Sequence, residues 1–391
     1  MNGNLPFVVF GDAWGPHPVS MQHIVVRLAR AHPLLYVNTF GLRRPRLTAY
    51  DARLAWQKIR DWSSPKTGAR AGGIYNVHYC SPFLLPFNNI GSVRRWNRRM
   101  VVRAVRRELK EHDIDSPVLM VSYPSGAEAV GGLNERLLIY YIMDQYAELP
   151  GVDREYVADL EKILLARADL VFVTSRELQR EKNGEKAPAV LLPHGVDFEH
   201  FHSAVNPQGP APKELSRLPR PLLGFFGLVA PWVDADLLDH VARAFPQASV
   251  VLIGPAWFDR PMASARSNVH WLGPRTYAEL PRYAAHFDVG LIPFRRDRLT
   301  SYVNPLKLLE YLALGLPVVS TPLPDLASFK GLVHEAETAD DFTDLIGVAL
   351  AEGTPEHRKE RFARASKESW DARVSTLLQH IKSALRARTC S

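Results

Sequence analysis

The sequence is poor in cysteine, with two among 391 residues, and it lacks any long apolar run. Cys80 and Cys390 give neither a disulfide framework nor the spacing of a metal site, which fits a reducing cytoplasm. No basic segment followed by an apolar run opens the chain, so no signal peptide is predicted. No stretch approaches about 18 uninterrupted apolar residues, so no membrane-spanning helix is predicted.

Composition narrows the class of protein further. Hydrophobic residues make up 46% of the chain and charged residues 23%, as in soluble globular proteins. The net charge of +7 favours anionic partners such as nucleotides or lipid headgroups. The sequence has no G-x-G-x-x-G followed by an acidic residue, so dinucleotide binding has little support.

Strand and helix patterns alternate along two halves of the chain. The apolar run at 5–10 and its successors predict a doubly wound α/β domain over 1–202. The proline-rich segment 203–221 is predicted to be a linker. A second series of the same kind follows over 222–368. The predicted fold class is therefore α/β, with two Rossmann-like parallel-sheet domains that face a cleft.

The stretch 300–321 contains a helix with a cation at an unusual position. Asn304 suits an N-cap, Pro305 suits the first helical position, and Gly315 suits a left-handed C-cap. Lys307 then lies in the first turn, where the helix dipole disfavours a positive charge. An anion such as phosphate at this N-terminus would remove the conflict, and Glu310 on the same face could accept from a sugar hydroxyl. The alternative is a surface ion pair between Lys307 and Glu310.

Polar residues after two strands of the first half are candidates for chemistry. Asp12 and His17 follow the first strand, where doubly wound folds bind ligands; the alternative for His17 is an ordinary loop residue. Asp144 follows the apolar strand 137–143, and partial burial there would raise its pKa toward that of a general base. The alternative for Asp144 is a helix cap or a loop residue.

Residues 92–110 predict a basic amphipathic helix with seven arginines beside an apolar stripe. Such a helix is typical of contact with an anionic membrane surface. A core-facing helix with a solvated cationic face is an equal alternative. Nucleic acid is a weaker one, because no nucleic-acid-binding module accompanies the helix, and we predict no nucleic-acid partner.

Three motifs together resemble a known family. Gly224-Phe-Phe-Gly227 with Trp232-Val-Asp234, Pro193-His-Gly-Val-Asp197, and Asn304-Pro-Leu-Lys-Leu-Leu-Glu310 with Gly315-Leu-Pro-Val-Val319 resemble GT-B-fold glycosyltransferases. The resemblance is greatest to bacterial polysaccharide-assembly enzymes, including xanthan-type glucuronosyltransferases and teichuronic-acid-type transferases. It implies that segment 369–391 is a helix that crosses back to the first domain.

The resemblance also implies roles for residues. The second domain would bind a nucleotide-sugar, UDP-linked by expectation, and the first domain a lipid-linked or saccharide acceptor. Glu310 would bind the ribose, and Lys307 with the backbone after Asn304 would bind the diphosphate. Asp144 would be the catalytic base, and His17 is a further catalytic candidate. No cofactor or metal is expected. The candidate nucleotide-sugar-binding residues are Gly227, Asp234, Leu272, Arg275, Tyr277, Tyr302, Asn304, Leu306, Lys307 and Glu310.

One departure from the family pattern bears on stereochemistry. The retaining relatives carry Glu-x7-Glu, whereas Tyr302 stands eight residues before Glu310. This favours an inverting transfer. The alternatives are a retaining transferase and a UDP-sugar 2-epimerase of the same fold. We separately predict a location in the cytoplasm, at the inner face of the cytoplasmic membrane.

Overall fold

The computed structural model describes residues 4–15, 18–38, 42, 77–85, 90–183, 186–205, 210–257 and 266–389. Its first sheet has parallel strands in the order β3-β2-β1-β4-β5-β6-β7. These strands are β1 (Phe7–Gly11), β2 (Leu34–Asn38), β3 (Val77–Cys80), β4 (Val118–Val121), β5 (Leu137–Ile142), β6 (Leu170–Val173) and β7 (Ala189–Leu191).

The second sheet repeats this topology. Its strands are parallel and run in the order β10-β9-β8-β11-β12-β13. They are β8 (Leu222–Phe226), β9 (Ser249–Ile253), β10 (Val269–Trp271), β11 (Val289–Ile292), β12 (Val318–Ser320) and β13 (His334–Glu335). In both sheets the strand order reverses beside the first strand, as in doubly wound folds. The predicted fold class is confirmed.

In the described part of the chain, helices lie between most consecutive strands, as parallel pairing requires. The α-helices are α1 (Ser20–Leu28), α2 (Gly91–Glu111), α3 (Arg154–Arg167), α4 (Arg176–Glu181), α5 (Phe198–His202), α6 (Lys213–Ser216), α7 (Ala235–Ala244), α8 (Leu280–Ala284), α9 (Arg298–Ser301), α10 (Leu306–Ala313), α11 (Ala339–Leu350), α12 (Pro355–Lys367) and α13 (Trp370–Thr389). Short 3₁₀ helices cover Pro124–Ala129, Tyr146–Glu148 and Pro324–Phe329. Within the described residues, no helix combines the length and the apolar character needed to cross a lipid bilayer.

The chain divides into two compact units. The first contains Met1–Thr174, Leu178–Leu192 and Val374–Ser391, and the second contains Ser175–Glu177 and Pro193–Arg373. The described part of the predicted linker belongs to the second unit and includes α6. Most of α13 belongs to the first unit, where Arg388 donates to the Arg136 carbonyl oxygen.

The central strands of both sheets are buried along their whole length, because helices cover both faces. This explains why they appear in the sequence as continuous apolar runs rather than alternating ones. Residues at helix starts are polar where a cap is needed. Asp153, for example, accepts a hydrogen bond from the Tyr156 N–H at the start of α3.

Candidate functional site

Helix α10 lies against β8 and β11, the two strands at which the order of the second sheet reverses. The buried Tyr311 hydroxyl is 3.2 Å from the carbonyl oxygens of Gly224 and Leu291, one on each strand. A Cβ on Gly290 would lie 2.7 Å from the Tyr311 ring, so only glycine leaves room for this packing. Ligands of doubly wound sheets bind beyond the carboxyl ends of the strands at such a reversal. The start of α10 is therefore well placed to meet one.

The N-terminus of α10 has no side-chain cap. The prediction that Asn304 caps it is wrong, because the N-cap is Pro305 and Lys307 is the second helical residue. Asn304 is occupied elsewhere: its Oδ1 accepts from the His194 N–H at 3.2 Å, and its Nδ2 donates to Asp325 at 2.9 Å. The first turn also contains no acidic residue. No side chain of the described residues caps the first N–H groups of the helix, so they can serve an anion.

The backbone of Gly227 approaches Lys307 closely. Gly227 follows β8 with φ +141°, and a Cβ there would lie 2.8 Å from Lys307 Cε. Gly254, after β9, is equally constrained, since its Cβ would lie 1.9 Å from the Gly227 carbonyl oxygen. The residues that follow β8 and β9 thus carry no side chains, and the one after β8 lies beside the ammonium group. This arrangement suits a phosphate group approached by backbone.

Lys307 and Glu310 form an ion pair, with 3.3 Å between Nζ and Oε2. The ammonium also lies 5.3 Å from the centre of the Phe226 ring. Burial raises the pKa of Glu310, while Lys307 opposes the shift by pairing with it. The Lys307 side chain is 24% exposed and that of Glu310 only 7%, so the pair is more than a surface contact. The ammonium remains accessible to a second anion.

His194 lies near this cation and is not among the site residues that the sequence predicts. Its side chain is 9% exposed, and Nδ1 is buried without a hydrogen-bond partner among the described residues. Burial lowers the pKa of His194 to about 4, and the charges of Lys307 and Arg373 contribute to the shift. The imidazole is therefore neutral at pH 7. The sequence signal for it is the Pro193-His-Gly-Val-Asp197 turn after β7, which the sequence alone marks only as part of a family motif.

Several predicted nucleotide-sugar residues have structural partners. Asp234 is the N-cap of α7, where its side chain accepts hydrogen bonds from the N–H groups of Asp236 and Leu237. Arg275 donates to the Leu272 carbonyl oxygen at 2.7 Å and to Glu214 at 3.0 Å.

The remaining candidates contribute aromatic or apolar surface. The Tyr277 ring stacks on His200 with centroids 4.3 Å apart, and the Tyr277 carbonyl oxygen is 2.9 Å from His200 Nε2. Tyr302 is buried, at 3% exposure, between α9 and α10 in the chain. Leu272 and Leu306 are half-buried. The structure thus groups Gly227, Asn304, Lys307 and Glu310 around the start of α10, and it gives Asp234 and Arg275 local structural contacts.

Two carboxyl groups lie at the carboxyl edge of the first sheet. Asp12 follows β1, and the Tyr36 hydroxyl donates to its carbonyl oxygen at 2.6 Å. Burial raises the pKa of the Asp12 carboxyl to about 6. His17 lies outside the described residues.

Asp144 follows β5 at the same edge. The residue is exposed to solvent, yet protein surrounds its carboxyl closely enough to raise the pKa to about 7, and the nearby Asp12 charge adds to the shift. A carboxyl with this pKa is about half deprotonated at neutral pH, and its exposure leaves it within reach of another molecule. It can accept a proton and release it again under the same conditions.

A family model and a named relative both match this chain. Residues 220–352 match the family model for glycosyl transferases group 1. The Bacillus subtilis protein TuaH, which bears the name of a putative teichuronic acid biosynthesis glycosyltransferase, is 26% identical over 240 residues. That match covers 58% of this chain and 60% of TuaH, so the chain spans about three fifths of the length of this relative.

Solved structures resemble the whole chain. HepE of Anabaena in complex with UDP has a TM-score of 0.65 at 16% identity and covers 97% of this chain and 100% of its own. The E. coli trehalose-6-phosphate structure bound with UDP-2-fluoro glucose has a TM-score of 0.62 at 14% identity, covering 96% and 99%. Likeness at these identities concerns the fold. Residues 220–352 thus match the model of the glycosyl transferases group 1 family, within a chain that has the GT-B fold.

Proposed function

We propose that the protein is a glycosyltransferase of cell-surface polysaccharide biosynthesis that uses a UDP-linked sugar as donor. The group 1 family match to the second unit and the name of the relative TuaH support the reaction class. The UDP and the UDP-sugar analogue bound by two proteins of the same fold support the donor class. Whether a hexosyl or a glucuronosyl group is transferred stays a prediction.

The observation that carries the proposal is the accessible ammonium of Lys307 beside Gly227 at the uncapped start of α10. A diphosphate would receive hydrogen bonds from the helix N–H groups and a charge contact from Lys307. The buried Glu310 carboxylate would accept from ribose hydroxyls, which are donors that a carboxylate binds well. In this assignment Glu310 contacts the ribose end of the nucleotide, and Lys307 contacts the diphosphate end.

The proposed chemistry is an inverting transfer. An acceptor hydroxyl attacks the anomeric carbon while the bond from that carbon to the diphosphate oxygen breaks. Asp144 takes the proton of the hydroxyl, for which its raised pKa is suited. The electron pair of the broken bond stays on the diphosphate, where Lys307 and the α10 N–H groups stabilise it. Tyr302 takes the place of the glutamate of retaining relatives, which supports inversion.

We further propose a lipid-linked or saccharide acceptor and a location at the inner face of the cytoplasmic membrane. The exposed arginines of the basic helix α2 support this location. The main apolar face of the helix is turned into the protein, as the core-facing alternative also predicts. Val101, Val105 and Leu109 are buried, whereas arginines occupy the exposed side.

Binding of UDP tests the donor site directly. Isothermal titration of the purified protein should detect UDP binding, and Lys307→Met should weaken it about tenfold, toward the lower end of a charge-assisted contact for a partly exposed group. Lys330→Met, at an exposed lysine after the 3₁₀ helix Pro324–Phe329, is the matched control and should bind UDP as the natural chain does. If no UDP-linked sugar binds to the natural chain, the proposed function is wrong.

Product analysis tests the reaction. Incubation with a UDP-sugar and an acceptor should release UDP and give a product whose anomeric configuration, read by NMR, is inverted. Retention would replace the inverting assignment. Interconversion of the UDP-sugar without acceptor would instead identify a 2-epimerase.

A further inference from the structure

The exposed side of α2 borders a cavity of about 580 Å³. The described residues that line it are Arg95, Arg98, Arg99, Val102, Arg103, Arg106 and Gly132. Five arginines, one valine and one glycine thus line the cavity, and no acidic side chain is among those residues. The volume is that of a small-molecule site.

The five lining arginines differ from their neighbours on the same helix. Arg94 pairs with Glu128 at 2.7 Å, and Arg107 pairs with Glu108 at 2.7 Å. In the described part of the chain, by contrast, none of the five has a carboxylate partner.

Two of the five are oriented by backbone contacts. Arg106 Nε donates to the Gly132 carbonyl oxygen at 2.7 Å, and Arg98 Nη2 donates to the Val130 carbonyl oxygen at 3.4 Å. Each guanidinium has five N–H donors, so most of them remain available after these contacts. The cavity therefore combines oriented donors with uncompensated positive charge, which is the chemistry that phosphate groups require.

Large apolar side chains are exposed at the N-terminal end of the same helix. Ile90 is 48% exposed, Phe83 41% and Trp96 37%, and the rings of Phe83 and Trp96 meet edge-on with centroids 6.4 Å apart. Trp96 and Arg99 are three residues apart and are neighbours on the helix surface. Exposed aromatic rings beside a cationic surface are typical of proteins that rest in the headgroup region of a bilayer.

We propose that this arginine cavity binds the phosphate headgroups of anionic lipids, with Phe83, Ile90 and Trp96 entering the interfacial layer of the same membrane. The inference rests on the proposed function and deepens its membrane location by naming the residues and the lipid class. A nucleic acid would use the charge but would leave these apolar side chains in water, so the lipid surface accounts for more of the observations.

Vesicle co-sedimentation tests the proposal with the full chain and without any nucleotide. The protein should sediment with phosphatidylcholine vesicles that contain phosphatidylglycerol and stay in solution with phosphatidylcholine alone. Arg99→Gln should lower the partition coefficient roughly fivefold, the expected effect of one basic residue at an anionic surface. Arg107→Gln removes the same charge from the same helix outside the cavity and should cost distinctly less.

Further readouts separate a specific lipid site from diffuse electrostatic attraction and from nucleic-acid binding. Trp96→Ser should weaken vesicle binding while leaving its dependence on salt unchanged, because it removes apolar contact and no charge. If Arg99→Gln and Arg107→Gln lower the partition coefficient equally, the proposed lipid site in the cavity is wrong and the attraction is diffuse. Preferential binding of an RNA oligonucleotide over the anionic vesicles would overturn the lipid assignment. Both arginine variants should bind UDP as the natural chain does, so a failure here is distinct from a failure of the proposed function.

Discussion

Replacement of Gly227 by alanine tests whether the close approach of Gly227 to Lys307 matters for nucleotide binding. The new Cβ would lie 2.8 Å from Lys307 Cε, whereas apolar carbons pack at about 3.5–4.0 Å. The end of the lysine side chain must therefore retreat by roughly 0.7 Å or more. That shift disturbs its 3.3 Å contact with Glu310 and displaces the ammonium from the position proposed to meet the diphosphate.

The substitution also strains the backbone. Gly227 has φ +141°, a region that costs a non-glycine residue about 1–3 kcal/mol. For a unit of this size, each kcal/mol lowers the unfolding midpoint by about 2–4 °C, so a decrease of about 2–12 °C is expected. Affinity for UDP should fall about tenfold in addition, because a charge-assisted contact is displaced.

A matched variant separates strain from the local contact. Gly331 also has a positive φ, +85°, but a Cβ there meets nothing within 4 Å. Gly331→Ala should therefore lower the midpoint in a thermal-shift assay and leave the UDP affinity from isothermal titration unchanged. If Gly227→Ala binds UDP as tightly as Gly331→Ala does, the inferred role of this backbone in the donor site is refuted.

The other predictions concern the three carboxyl groups. Asp144→Asn should reduce kcat by about 10²–10⁴-fold with UDP affinity intact, and near-normal turnover would remove Asp144 from the mechanism. A base must be deprotonated, so kcat should rise with pH through about 7; Asp12→Asn should shift that rise to lower pH, because the Asp12 charge raises the pKa of Asp144. An unchanged profile would contradict this coupling. Glu310→Gln should narrow the affinity difference between UDP and 2′-deoxy-UDP, whereas an unaltered preference would show that Glu310 does not bind the ribose.

Much of the fold could be predicted from the sequence, because parallel sheets covered on both faces leave a direct pattern. Strands such as β2 and β8 lie where continuous apolar runs predict them, at Leu34–Asn38 and Leu222–Phe226. Helix ends can be predicted where one residue decides them. Gly315 follows α10 with φ +72°, and the Leu316 N–H donates to the Tyr311 carbonyl oxygen at 3.0 Å, as in a glycine-terminated helix.

The contacts of the site could not be predicted in the same way, since they join segments far apart in the chain. Asn304 has the local context of an N-cap, yet its side chain bridges the His194 backbone and Asp325. Asp234, a nucleotide-sugar candidate by family resemblance, is also the N-cap of α7. Neither the composition nor the spacing of residues indicates that His194 Nδ1 is buried without a hydrogen-bond partner among the described residues. The sequence shows that these residues are polar and can form hydrogen bonds. Which partner each one binds is decided by the tertiary structure.

The start of α10 lowers the stability of the fold, and this cost bears on nucleotide binding. Without a side-chain N-cap the helix lacks about 1 kcal/mol of stabilisation. A lysine in the first turn is disfavoured by the helix dipole by a few tenths of a kcal/mol or more. A bound diphosphate would offset both effects, because it would accept from the open N–H groups and give the ammonium, already paired with Glu310, a second anionic partner. Asn304, the residue that would otherwise cap the helix, is held away by Asp325. If UDP binds here as proposed, part of its binding free energy is relief of a cost that is already built into the fold. A side chain that capped this end would stabilise the protein and occupy the N–H groups that the diphosphate needs, so stability and donor affinity oppose each other at this position.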